Sequence, residues 1–191
     1  MAVSGLARVL SVVLLTLRAK VVAMLLGPEG IGLLGLFTAL QEMGAQTADG
    51  GLAHSTVRNI ARARERRRRL ARLLQAMRSA VLVLGLAAAL LIWCAREPIA
   101  QMILGSEDNA LAVGILGVGV ALTMVYRAQQ AVLSGFRQVR DLAILTASAT
   151  ALATAGGVGA IAILGLDGII WAVLAGPIAG VAVASIFVAR L

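Results

Sequence analysis

The 191 residues are 60% apolar and 14% charged, with 17 Lys and Arg against 9 Asp and Glu, a formal charge of +8. Soluble domains sit at roughly 45–50% apolar and ~25% charged, so this balance excludes a water-soluble enzyme and demands a non-aqueous solvent. One cysteine, Cys94, and one histidine, His54, exclude a disulfide framework, a cysteine-rich metal centre and a histidine-based relay.

Mean hydropathy is +0.96, and it is concentrated in long continuous runs of Ala, Leu and Gly. A helix needs ~20 apolar residues to cross a ~30 Å hydrocarbon layer, whereas barrel strands alternate in short segments. The expected fold class is therefore all-α, a polytopic membrane protein with six transmembrane helices in a single membrane domain, 1–191.

The first span is placed at about 6–26. It stops at Gly27-Pro28-Glu29-Gly30, because proline disfavours a helical residue before it. The run carries Arg18 and Lys20 and lacks a small-x-small cleavage site, so it reads as a spanning helix and not as a signal peptide. The second span is drawn from 31 to 60, turning polar in its second half. A basic segment, 58–78, follows, with nine arginines and one acid, Glu65. A third span is placed at 79–95, then a short interfacial helix from Pro98 to Leu104 and the acidic turn Glu107-Asp108-Asn109. Spans four, five and six fall at 110–133, 142–166 and 169–189, the last two joined by the tight turn Gly165-Leu166-Asp167-Gly168.

Loop charge alternates. The segments after spans two and four are basic, the second through Arg137 and Arg140, while the intervening turns hold Glu29, Arg96 with Glu97, Glu107 and Asp108, and Asp167. Cytoplasmic loops keep Lys and Arg, which places both termini in the cytoplasm and the basic segment against anionic lipid. Nucleic acid is not needed to explain the charge.

In hydrocarbon the polar residues carry the information, since a charge at mid-helix costs about 2.5–3.5 kcal/mol. Thr38, Glu42, Gln46 and Asp49 are spaced to share one helical face; so are Thr123, Arg127, Gln130 and Ser134, and again Thr146, Thr150 and Thr154. With Arg18 and Lys20, these stripes predict four helices around a hydrated interior, with spans three and six toward lipid. Glu42 or Asp49 is a candidate for carrying a coupling proton or cation. Arg18 and Lys20 have a second reading, snorkelling toward headgroups.

Other signals carry little chemistry. Gly30, Gly32 and Gly35 match G-x-G-x-x-G, but no strand precedes them, so no nucleotide or other cofactor is expected. Gly176 and Gly180 around Pro177 predict close helix packing. Cys94 reads as a small apolar side chain, and no metal ligand set is present.

Residues 19–33, AKVVAMLLGPEGIGL, resemble the first hairpin of bacterial polysaccharide flippases, where a Lys-bearing helix enters a G-P-x-G-hydrophobic-G turn. Gly51-Leu52 with Val57-Arg58-Asn59-Ile60-Ala61, and Ser134-Gly135-Phe136-Arg137, agree with that family too. The likeness is to O-antigen and enterobacterial-common-antigen translocases of the multidrug/oligosaccharidyl-lipid/polysaccharide exporter superfamily.

The resemblance implies flipping of an undecaprenyl-diphosphate-linked oligosaccharide across a bacterial inner membrane by alternating access between two lobes. The chain covers the first, six-helix lobe, so a C-terminal lobe or a second copy is the expected partner, and a fragment is the expected explanation of the length. Arg18, Lys20 and Arg127 become the cavity cations for the diphosphate. Thr38, Glu42, Gln46, Asp49, Thr123 and Gln130 become polar cavity residues. A drug or cation exporter of the same superfamily is the nearest alternative, disfavoured by the cationic cavity. A non-transporting membrane scaffold is a further alternative. A lipid-phosphate enzyme lacks a convergent nucleophile and acid–base set.

Overall fold

The computed structural model describes residues 2–63, 67–105, 109–136 and 138–189, and every element among them is helical. The helices are α1 (Ala2–Asp49), α2 (Leu52–Ala63), α3 (Arg67–Cys94), α4 (Arg96–Leu104), α5 (Ala110–Gly135), α6 (Val139–Leu164) and α7 (Gly168–Val188). A single 3₁₀ turn, Gly165–Asp167, joins the last two. Four stretches are long and apolar enough to cross a membrane: Ala19–Asp49, Leu70–Cys94, Ala110–Gly135 and Val139–Val188.

Two of those stretches are interrupted. In α1, Gly27 has φ 66° and ψ −170°, a region essentially reserved for glycine. Pro28 then opens the second leg, where its missing N–H costs nothing. In Val139–Val188 the chain turns at Gly165, φ 60°, and α7 packs back along α6. The turn is tight because Gly168 lies against the carbonyl of Ala160, where a side chain would not fit.

The boundaries differ from expectation at two places. The second span does not run unbroken to residue 60: Gly50 and Gly51, with φ 49° and 87°, end α1 and start the separate helix α2. Its strongly one-sided pattern, with Thr56 and Ile60 buried and Arg58 and Asn59 exposed, suits a helix lying along the bundle and not a span. The third helix extends back into the basic segment at least as far as Arg67, the first described residue after 63, and arginine is a good helix former. The short helix expected at Pro98–Leu104 is present as α4, starting two residues earlier at Arg96.

α5 is the axis of the bundle, packing against α1, α2, α3, α4, α6 and α7. Fifteen of its residues are buried, many of them Gly, Ala or Val. Small residues let backbones approach closely, and close packing replaces the hydrophobic drive that lipid cannot supply. On one side Gly117 meets Ala89 of α3 and Gly85 meets Ala121, which makes α3 and α5 antiparallel. On the other, Gly180 of α7 lies against the Tyr126 ring, as the Gly176/Gly180 spacing predicted for Gly180. Phe37, Ala112, Leu116, Ile169 and Val173 form a core joining α1, α5 and α7.

Candidate functional site

The second leg of α1 runs in the same direction as α5, with Phe37 beside Ala112 and Leu116, and Ala45 beside Val120 and Met124. This register lines up the two polar stripes. Gln41 Nε2 donates to Thr123 Oγ1 at 3.1 Å, and Thr123 donates in turn to the Gly119 carbonyl at 2.8 Å. Both side chains are buried.

Around this bond lies a cavity of about 230 Å³. Thr38, Gln41 and Glu42 of α1, Thr123 and Tyr126 of α5, and Thr150 of α6 supply its polar lining. Val173, Gly176 and Pro177 of α7 complete the wall. The expectation that span six faces only lipid is therefore corrected. A helix poor in polar residues can still line an interior, because its small residues admit close approach.

The cavity presents acceptors. Thr38 and Thr150 each donate to the carbonyl four residues back, Leu34 O at 2.7 Å and Thr146 O at 2.8 Å. A hydroxyl has one donor and two acceptor lone pairs, so each still accepts. Gln41 Oε1, packed against Gly119, has no partner among the described residues, and a turn of its amide would add an acceptor to the wall. Such a surface suits a ligand rich in hydroxyl donors.

Glu42 also faces α5, where its carboxylate accepts from the Arg127 guanidinium in a partly exposed ion pair. Arg127 lines a second cavity, about 280 Å³, with Asp49, Gln130 and Ser134. The pair thus stands between two cavities. Because side chains on a helix lean toward its N-terminus, Arg127 reaches back along α5 toward Glu42.

The remaining expected residues separate. Gln130 is hydrogen-bonded to the Tyr126 hydroxyl. Asp49 Oδ2 accepts from Ala53 N at 3.4 Å across the Gly50–Gly51 break, so it helps to start α2. Gln46 is exposed and lines neither cavity, as is Lys20. Arg18 lies on the first leg of α1, and its side chain, like that of His54, lies outside the described part of the structure. Glu107, Asp108 and Arg137 lie outside the described residues altogether. Among the described residues, no cluster of three or more His, Cys, Asp or Glu could hold a metal ion.

Sequence reasoning missed Gln41 and Tyr126. Gln41 lies three residues after Thr38, as close to the stripe as Glu42, but the stripe follows Glu42.

A family model described as polysaccharide biosynthesis protein matches residues 21–190. The chain belongs to that family. The match takes in every cavity-lining residue named above, from Thr38 to Pro177. With four stretches able to cross a bilayer, this member of the polysaccharide biosynthesis family is a membrane protein. The comparisons with curated proteins and with solved structures found no match.

Proposed function

We propose that this chain forms one lobe of a flippase that moves a lipid-linked oligosaccharide, carried on an undecaprenyl-type diphosphate, across the bacterial inner membrane. The observation that carries the reading is the acceptor-rich cavity of Thr38, Gln41, Thr123 and Thr150 beside the Glu42–Arg127 pair. Sugar hydroxyls match the acceptors. A diphosphate matches Arg127, which gives forked contacts to phosphate oxygens. Membership of the polysaccharide biosynthesis family supports the cargo class.

In this reading the breaks at Gly27 and Gly165 turn the four apolar stretches into six crossings, with both termini cytoplasmic. The lobe closes against a second body, a C-terminal lobe or another copy, since alternating access rocks one unit against another. Cargo phosphate displaces Glu42 from Arg127. The exposed Lys20, with Arg18, then receives it only where that second body encloses the first leg of α1. Glu42, once displaced, is the residue positioned to take up a coupling proton or cation. The function requires no catalytic step and no cofactor.

The test is export of surface polymer in cells where the lobe works with its second body. Thr38→Val, Thr150→Val and Arg127→Gln should each lower export while the protein stays inserted. Parental export from all three would overturn the reading. A cation-exporter reading would need the Glu42 carboxylate for its cargo, and Arg127 already holds it.

A further inference from the structure

A third cavity, about 430 Å³, lies on the opposite side of α5, between α3 and α5. It shares no lining residue with the two cavities around Glu42 and Arg127. Its volume falls within the ~300–1,000 Å³ typical of small-molecule sites. The walls are apolar except at two side chains, Arg78 of α3 and Gln129 of α5.

Those two sit at one level. Gly85 lies on Ala121 and Gly117 on Ala89, so along this antiparallel pair Arg78 falls opposite Ala128 and Gln129. From Arg78 to Cys94, α3 runs about 24 Å at ~1.5 Å per residue, which places Arg78 within about one helical turn of the edge of a ~30 Å hydrocarbon layer, a gap its long side chain spans. Arg78 is exposed, while Gln129 Oε1 is buried and has no partner among the described residues. The level therefore offers a cation, and an unfilled acceptor that a turn of the Gln129 amide would bring to the cavity. No carboxylate lines the cavity among the described residues.

The flank into which the cavity opens is apolar. Leu82, on its rim, is exposed, and exposed Val83, Leu86 and Leu90 continue along α3. Toward its other end α3 leads back to Arg72 and Arg67, and the sequence of 58–78 holds nine arginines against one acid. An occupant must then be anionic at the Arg78 level, apolar toward Leu82, and able to donate a hydrogen bond to Gln129.

We propose that this cavity binds one anionic glycerophospholipid of the phosphatidylglycerol type, independently of the transported cargo. The phosphate pairs with Arg78, a glycerol hydroxyl donates to Gln129 Oε1, and an acyl chain follows the groove past Val81 and Leu82. This is a defined site and not the diffuse attraction of a basic loop, since one arginine and one amide select the headgroup.

Native mass spectrometry of the full chain tests it, with palmitoyl-oleoyl phosphatidylglycerol and the phosphatidylcholine of the same chains offered in equal amounts. One phosphatidylglycerol should be retained per chain, preferred by roughly fivefold or more, the worth of an arginine beside an anionic headgroup. Arg78→Gln should abolish that preference. Arg58→Gln, exposed on α2 and outside the cavity, should keep it. Equal retention of the two lipids by the parental chain would overturn the site without recourse to any variant, as would an undiminished preference in Arg78→Gln. Undecaprenyl phosphate displacing phosphatidylglycerol at equal concentration would assign the groove to the cargo chain and overturn it too.

Discussion

Glu42 of α1 and Arg127 of α5 form an ion pair, and each lines a different cavity. The pair ties together the two helices that carry the clearest polar stripes. It also neutralises the cation that the cargo reading needs, so a diphosphate must compete with a carboxylate. That competition makes binding reversible, a condition for release on the far side.

The pair's coupling is measurable. Arg127→Gln or Glu42→Gln alone leaves a charge without its partner in a low-dielectric setting. Because both side chains are partly exposed, we expect each single change to cost about 1–3 kcal/mol, between exposed and buried pairs. The double variant should cost less than the two singles added. Thermal unfolding in detergent of all four forms gives the coupling, and strict additivity would mean that the pair does not form.

Gln41 separates stability from transport. Its bond to Thr123 resembles other interhelical bonds in membranes, worth ~0.6 kcal/mol on average, and its unpaired Oε1 offsets part of that. Gln41→Leu should therefore change unfolding by less than about 1 kcal/mol. Export should nevertheless fall, because an amide acceptor and an amide donor leave the cavity wall. Loss of stability without loss of export would mark Gln41 as packing alone.

Much of the helical framework was legible because apolar length, Gly27-Pro28 and Gly165–Asp167 are local signals. The break at Gly50–Gly51 was not, since two glycines in a polar stretch look the same inside a helix as between helices. The sidedness of α7 was hidden for a different reason. In water, polarity separates outside from inside, but lipid and protein core are both apolar, so Val173 and Pro177 read as lipid-facing when they line the cavity. Stripe spacing put Thr38, Glu42 and Thr123 on polar faces, and the three line one cavity. It could not say which neighbour each residue meets, so Gln46 was grouped with residues it does not join, and the pairing of Glu42 with Arg127 was not foreseen.

The α3–α5 contact should tolerate no methyl group at Gly117. A Cβ there would come within 2.9 Å of the Ala89 carbonyl oxygen and 3.3 Å of its Cα, which are backbone atoms and cannot swing aside. Gly117→Ala should cost about 1–3 kcal/mol, as overpacking does. Gly159→Ala, in α6 with open space around it, should be neutral or stabilising by up to ~1 kcal/mol. Unfolding temperatures of the two variants decide, and equal behaviour would refute the close approach.

Gly27 should resist substitution for a conformational reason, since nothing lies within 4 Å of a Cβ built on it. With φ 66° and ψ −170°, an alanine would cost about 1–3 kcal/mol of backbone strain. Gly27→Ala should thus straighten or destabilise the joint between the two legs of α1. A spin-label distance between positions 20 and 36, both exposed, should lengthen or broaden; an unchanged narrow distance would show the joint to be set by packing instead.

The proposed orientation places Asp167 outside and Arg58 inside, and both are exposed in the structure. Cys94 is also exposed and lies at the end of α3 remote from the basic segment, so it would itself label from outside. It must first be replaced, for example Cys94→Ser. In that background, Asp167→Cys should react with a membrane-impermeant thiol reagent in intact cells, and Arg58→Cys should react only after the membrane is opened. The physical cause is the arginine density around Arg58, which is retained on the cytoplasmic side during insertion, against a hairpin at Asp167 that carries no cation. Reversing the bias should reverse the result: replacing the arginines of 58–78 by glutamine while adding lysines beside Asp167 should expose position 58 and protect position 167. Labelling of Arg58→Cys in intact cells of the otherwise unaltered chain would overturn the orientation, and with it the direction in which the cargo meets Arg127.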